Sequence, residues 1–97
     1  MSATALAVQP LANASGDSEK DYLADGLTEY LHSALTGVAA LRVASRGATA
    51  ALFGRHSLAD QGRLLDVQAL LDGSMSKLGG LIRVQARLVQ ASDGTAY

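Results

Sequence analysis

The chain contains no cysteine. Disulfides, thiolate metal sites and cysteine nucleophiles are therefore excluded, and either a reducing or an oxidising compartment fits. There is one proline, and the aromatic residues are only Tyr22, Tyr30, Phe53 and Tyr97. The core must therefore be aliphatic. Charge is also scarce: eight Lys and Arg stand against nine Asp and Glu, a net charge of −1. No electrostatic footprint for nucleic acid results, and no direct contact with it is expected. No apolar run approaches the ~20 residues that a membrane span needs. The opening MSATALAVQPLA has no basic n-region and does not read as a signal peptide.

Within those bounds the 97 residues are 48% hydrophobic and 18% charged, which reads as one globular domain over 1–97. ALAVQPL (Ala5 to Leu11) is short and apolar and is closed by Pro10. It reads as a strand buried on both faces, as in parallel sheets. NASGDS is turn chemistry. A helix should follow, with Leu23, Leu27, Tyr30, Leu31, Ala34, Leu35 and Val38 at intervals of three and four. Gly37 is a plausible left-handed stop. LRVAS (Leu41 to Ser45) reads as a second strand. RGATAALFGRHS reads as a loop with a short turn, anchored by Leu52 and Phe53. Ser57 and Asp60 resemble a capping box for a second helix, LADQGRLLD, with Leu58, Leu64 and Leu65 on its buried side. Gly62 should weaken that helix by about 1 kcal/mol relative to alanine.

VQALLDGSMSKL is a third strand, and LIRVQARLVQ a fourth. In the fourth, Ile82, Val84, Ala86 and Leu88 alternate with Arg83, Gln85 and Arg87. Gly79 and Gly80 between two strand patterns signal a two-residue hairpin. The expected fold is thus α/β, β-α-β-α-β-β. The sheet should be mixed, in the order 2-1-3-4, with the last strand antiparallel and helices on both faces in three layers. A split arrangement with both helices on one face is the alternative.

The residues point to no reaction centre. Asp17, Glu19, Asp21 and Asp25 would repel phosphate at the helix start, and neither a Walker lysine nor a G-x-G-x-x-G run is present. The alternating acids lack the downstream glutamate of an EF-hand. His32 and His56 have no metal-ligand spacing and read as solvent-exposed. Ser15 and Ser74 have no nucleophile-elbow motif around them. No cofactor and no metal are expected. Gly26, one turn into the first helix, reads as close packing against the sheet or, alternatively, as space for a partner. Arg83 and Arg87 with Lys77 form a small basic patch, and Asp72 could pair with one of the arginines across the hairpin.

Pro10, Ser15-Gly16-Asp17, Ala24 to Glu29, Leu71-Asp72-Gly73-Ser74, Gly80-Leu81-Ile82-Arg83 and Asp93-Gly94, in this order, resemble the TolB amino-terminal-like domain of bacterial signalling proteins. Asp72 departs from the usual glutamate. Gln61 stands where that family has an aliphatic residue, and Leu64 where it has a charge, which puts the rotation of the second helix in doubt. The resemblance implies a three-layer α/β fold and a non-catalytic role. It also implies a longer parent protein carrying a nucleotide cyclase, kinase or winged-helix domain, often with tetratricopeptide repeats. The family continues past Asp93-Gly94 into a further strand, near Tyr97. A bacterial parent is expected, and an inner-membrane protein with this domain in the periplasm is one arrangement it allows.

The expected function is a regulatory or protein-interaction domain. A small-ligand sensor using the crevice at the carboxyl end of the first strand is the alternative. Open α/β sheets bind ligands where the winding direction reverses. Asn13, Ser15, Gly16 and Asp17 lie at that point, and with Gly26 they are the candidate recognition surface. Arg83, Gln85 and Arg87 mark the candidate edge-strand interface. A neighbouring domain or protein partner is expected, together with weak homodimerisation through the fourth strand.

Overall fold

The computed structural model describes residues 4–95, so Tyr97 lies outside the described residues. A mixed five-stranded sheet and three helices make up the fold. β1 (Thr4–Val8) runs parallel to both β3 (Leu41–Val43) and β4 (Ala69–Leu78). β4 then turns into β5 (Leu81–Gln90), its antiparallel neighbour. The expected four-strand order is corrected by one addition. A short strand, β2 (Ala12–Asn13), pairs parallel with Ser74 and Met75 of β4, so the path reads β2-β4-β1-β3 with β5 on β4.

Pro10 explains the break between β1 and β2. Its ring nitrogen cannot donate, so the ladder is interrupted there. Val8 pairs with Leu71 and Ala12 with Ser74, so one extra residue bulges out on the β1–β2 side. The Leu11 amide, now off the ladder, donates to the Thr28 hydroxyl at 2.9 Å, and that hydroxyl donates to the Ala24 carbonyl at 2.8 Å. A polar residue is thus buried in α1 (Asp21–Thr36) because it completes the strand's hydrogen bonding.

Side chains alternate across a strand, so β1 feeds two clusters. Leu6 and Val8 meet Leu31 and Leu35 of α1, whereas Ala5 and Ala7 share a cluster with Leu58 and Leu65 of α3 (Leu58–Leu65). Small alanines at Ala5 and Ala7 let the second layer approach closely.

Several local expectations are corrected. RGATAAL is a helix, α2 (Arg46–Leu52), capped by Ser45, whose Oγ accepts from the Ala48 amide at 3.1 Å. Thr49, not Phe53, anchors it in the interior. The buried face of α1 carries Ala24 and Thr28 beside Leu23, Leu27, Leu31 and Leu35, while Tyr30, Ala34 and Val38 are exposed. Gly37 ends α1 at φ −76°, in the right-handed region, where many residues would serve. In α3 the rotation follows the resemblance: Gln61 is buried and Leu64 exposed. The Ser57 cap forms as expected, accepting from the Asp60 amide at 3.1 Å. The hairpin forms too, with Gly79 at φ +58° between paired Leu78 and Leu81.

Candidate functional site

The two candidate surfaces arise from different physics. The loop after β2 is held by one side chain. The Asn13 amide nitrogen donates to the Asp17 carbonyl at 2.8 Å and to the Asp21 carboxylate at 2.6 Å. Its amide oxygen accepts from the Ser15 amide at 3.0 Å and the Ser15 hydroxyl at 2.6 Å. Gly16 takes φ +80°, a conformation glycine adopts without a Cβ penalty. Asp17 caps the short 3-10 turn Ser18–Lys20, accepting from the Glu19 amide at 3.0 Å, and α1 follows with Asp21 in its first turn. Asn13, Ser15 and Asp17 are therefore brought together, largely to satisfy one another. Gly26 is not among them. It is exposed on α1 with no heavy atom within 4 Å of where a Cβ would stand, so the packing role expected for it is corrected.

The end of β1 is also filled from within. The Gln9 side chain, 3% exposed, donates to Gln61 at 2.5 Å, and Gln61 donates to the His56 carbonyl at 3.0 Å. Two buried amides thus bond to each other where β1 ends against α3. The role of Gln61 was hidden in the sequence, where only its polarity on an apolar helix face hinted at it. His32 is half-buried rather than exposed, and its Nε2 lies 3.0 Å from the Ala44 carbonyl, tying α1 to the end of β3. Among the described residues no group of three His, Cys, Asp or Glu side chains could hold a metal ion.

The second surface is the β4–β5 hairpin. Pairing of Asp72 with Arg87 and Ser76 with Arg83 puts Arg83, Gln85 and Arg87 on one face. The Arg87 guanidinium lies 3.7 Å from the Asp72 carboxylate, an exposed pair of small energetic weight. Lys77 pairs with Ile82 and faces the other way, so the expected three-residue basic patch does not form. Gln85, Arg87 and Ser74 instead border a shallow depression of about 390 Å³ beside Ala12. On the opposite face Leu23, Met75 and Ile82 line a groove of about 280 Å³ with Lys20, Lys77 and Tyr22 around it. Sequence alternation identified the two faces of β5 but not their exposure. Ile82 is 48% and Val84 41% exposed, because α1 covers β1 and only part of β4.

Beyond Leu88 the edge of β5 closes on a turn. The Gln90 amide donates to the Thr95 carbonyl and the Gly94 amide to the Gln90 carbonyl, both at 2.8 Å. Asp93 accepts from the Thr95 amide at 3.0 Å and hydroxyl at 2.7 Å, and these bonds lower its pKa.

The fold defined by this sheet and its helices recurs in solved bacterial proteins. Lipoprotein GNA1162 from Neisseria meningitidis superposes with a TM-score of 0.74 at 18% identity, over 97% of this chain and 74% of that one. The LpoB C-terminal domain from Salmonella enterica gives 0.73 at 20% identity, over 99% and 78%. The PelC dodecamer from Paraburkholderia phytofirmans gives 0.62 at 18%, over 99% and 67%. In sequence the chain is 34% identical over 90 residues to "Putative adenylate cyclase 3" of Rhizobium meliloti (strain 1021). The match spans 92% of this chain and 15% of that protein's length. No family model matches the sequence.

Proposed function

We propose that the chain is a non-catalytic regulatory or protein-interaction domain of a bacterial signalling protein, working through the exposed side of the β4–β5 hairpin. One observation carries this reading: among the described residues the β4–β5 hairpin leaves Leu81, Ile82 and Val84 exposed to solvent. Exposed apolar residues such as Ile82 and Val84, gathered on one face of a hairpin, are what docking surfaces use. The relative described as an adenylate cyclase matches over a small part of its length, which favours an accessory domain attached to an output module. The TolB amino-terminal-like resemblance, with its three-layer stack, gives the same reading. PelC, which shares the fold, is described as a dodecamer, and GNA1162 as a lipoprotein. The former is in line with an assembly role and the latter with an envelope-facing one. The ligand-sensor alternative would use the groove that Ser15 borders beside Lys20 and Tyr22.

The test has two arms. In the protein that carries this segment, Ile82→Lys with Val84→Lys should abolish the assembly or regulated output while leaving the domain's melting temperature nearly unchanged. The purified chain should turn over no nucleotide. Cyclase or hydrolase activity intrinsic to it would overturn the proposal.

A further inference from the structure

The groove beside α1 lies between two segments far apart in sequence. One wall is the lead-in to α1, with Lys20, Tyr22 and Leu23, and the other is the turn end of the hairpin, with Met75, Lys77 and Ile82. Pairing of Met75 with Val84 and of Lys77 with Ile82 puts these four residues on one face. Met75, 1% exposed, lies at the floor, while Ile82 and Tyr22 stand exposed at the mouth. The charged lining is of one sign. Lys20 and Lys77 border the groove, one on each wall, and no acid does. The acids beside Lys20 in sequence are engaged in the loop: Asp21 accepts from the Asn13 amide nitrogen at 2.6 Å, and Asp17 from the Glu19 amide at 3.0 Å. Among the described residues neither lysine takes part in an ion pair.

We propose that this groove seats an aromatic side chain of a partner protein, carried on an acidic segment whose carboxylates meet Lys20 and Lys77. This rests on the reading of the chain as an interaction domain. Size sets the kind of occupant. Pockets that bury most of a drug-sized ligand span roughly 300–1,000 Å³. At about 280 Å³ this groove falls below that range and suits a single anchoring side chain, the usual centre of a docking contact. The floor sets its chemistry, because the polarisable Met75 thioether adapts to a ring and sulfur–aromatic contacts are favourable. The same apolar face runs on to exposed Val84, which favours a chain extending past the groove over a small molecule confined to it. Concavity argues against a lipid surface, which meets protruding residues rather than a floor. Lysines on both walls place acids on both sides of the anchor. Such exposed charges give selectivity and salt-sensitive steering more than affinity, so the contact is weak and reversible.

An end-capped peptide with one phenylalanine between two pairs of aspartates, titrated into the isotope-labelled chain and followed by NMR, tests this. Amides from Ser15 to Leu23 and from Met75 to Ile82 should shift together, and affinity should fall as salt is raised. Glycine in place of the phenylalanine, or asparagines in place of the aspartates, should each weaken binding about fivefold or more. Lys20→Glu with Lys77→Glu should lose the acidic peptide and gain its lysine counterpart, at a nearly unchanged melting temperature. Should that variant fold poorly, the salt series and the asparagine peptide on the parent chain decide instead. The protein that carries this segment must bind the peptide as well, and failure there overturns the inference. So do the absence of binding up to about 1 mM peptide, the same shifts from decanoate at lower concentration, and association with phosphatidylglycerol vesicles in place of the peptide. If Ile82→Lys with Val84→Lys removes assembly while charge reversal at Lys20 and Lys77 leaves it intact, the inference falls and the interaction-domain reading stands. Nucleotide turnover would instead overturn that reading and leave the peptide result standing.

Discussion

The same substitution should have opposite effects on two helices. Gly26→Ala in α1 adds a methyl group to open solvent, since no heavy atom lies within 4 Å of its position. Only the helix preference remains, and alanine is favoured over glycine by about 1 kcal/mol. In a domain of this size that gain raises the melting temperature by roughly 4–8 °C. Gly62→Ala in α3 has the same preference in its favour, but Gly62 is buried. Its new Cβ would overlap the Ala91 Cβ and stand 3.2 Å from the Val67 carbonyl oxygen. Neither neighbour is a flexible side-chain end. Val67 is anchored through its amide, which donates to the Gly62 carbonyl at 2.9 Å, and the Ala91 amide is bonded to the Gln68 carbonyl at 2.9 Å. Relief requires α3 to lift from the sheet edge, and overpacking of this kind costs about 1–3 kcal/mol. The net change should be a loss of about 0–2 kcal/mol once the helix preference is subtracted, against a gain for Gly26→Ala. Urea denaturation of the two variants and the parent, fitted with a common slope, gives both signs in one experiment. A Gly62→Ala variant as stable as Gly26→Ala would refute the claim that α3 is held by glycine contact with Ala91.

Thr28→Val keeps the shape of the α1 face but leaves the buried Leu11 amide without its acceptor, and should cost about 1–3 kcal/mol by denaturant titration. Asn13→Ala releases four hydrogen bonds of an exposed loop, so stability should fall by only about 1 kcal/mol, while amides from Ser15 to Glu19 exchange faster. Asp93 has a lowered pKa in the folded chain, chiefly from the Thr95 amide and then its hydroxyl. Its contribution is present above the unfolded carboxylate value and is lost as the pH falls through the lowered one, so the Asp93→Asn variant should show a shallower loss of stability in acid than the parent.

Much of the fold was legible because some signals are local. Two glycines between alternating runs located the β4–β5 hairpin, and Ser57 three residues before Asp60 located the start of α3. What was hidden depends on neighbours distant in sequence. Nothing near Gly62 announces that Ala91 lies against it, and nothing near Gly26 announces open solvent, so the wrong glycine was assigned a packing role. α2 was missed because RGATAAL has almost no apolar periodicity, and only Thr49 is buried. Thr28 was overlooked because its polarity masked a core position created by the proline break at Pro10. At the candidate site the turn chemistry of Asn13 to Asp17 and the two faces of β5 could be read directly. The exposure of Ile82 and Val84 could not, since it depends on how far α1 reaches across the sheet.

Substitution of Ile82 and Val84 together by lysine, in the protein that carries this segment, tests the docking account most directly. Both side chains are already exposed, so the domain should keep its fold and its melting temperature nearly unchanged. The account predicts that assembly or regulated output is lost all the same. A folded variant whose assembly and output both match the parent would contradict it.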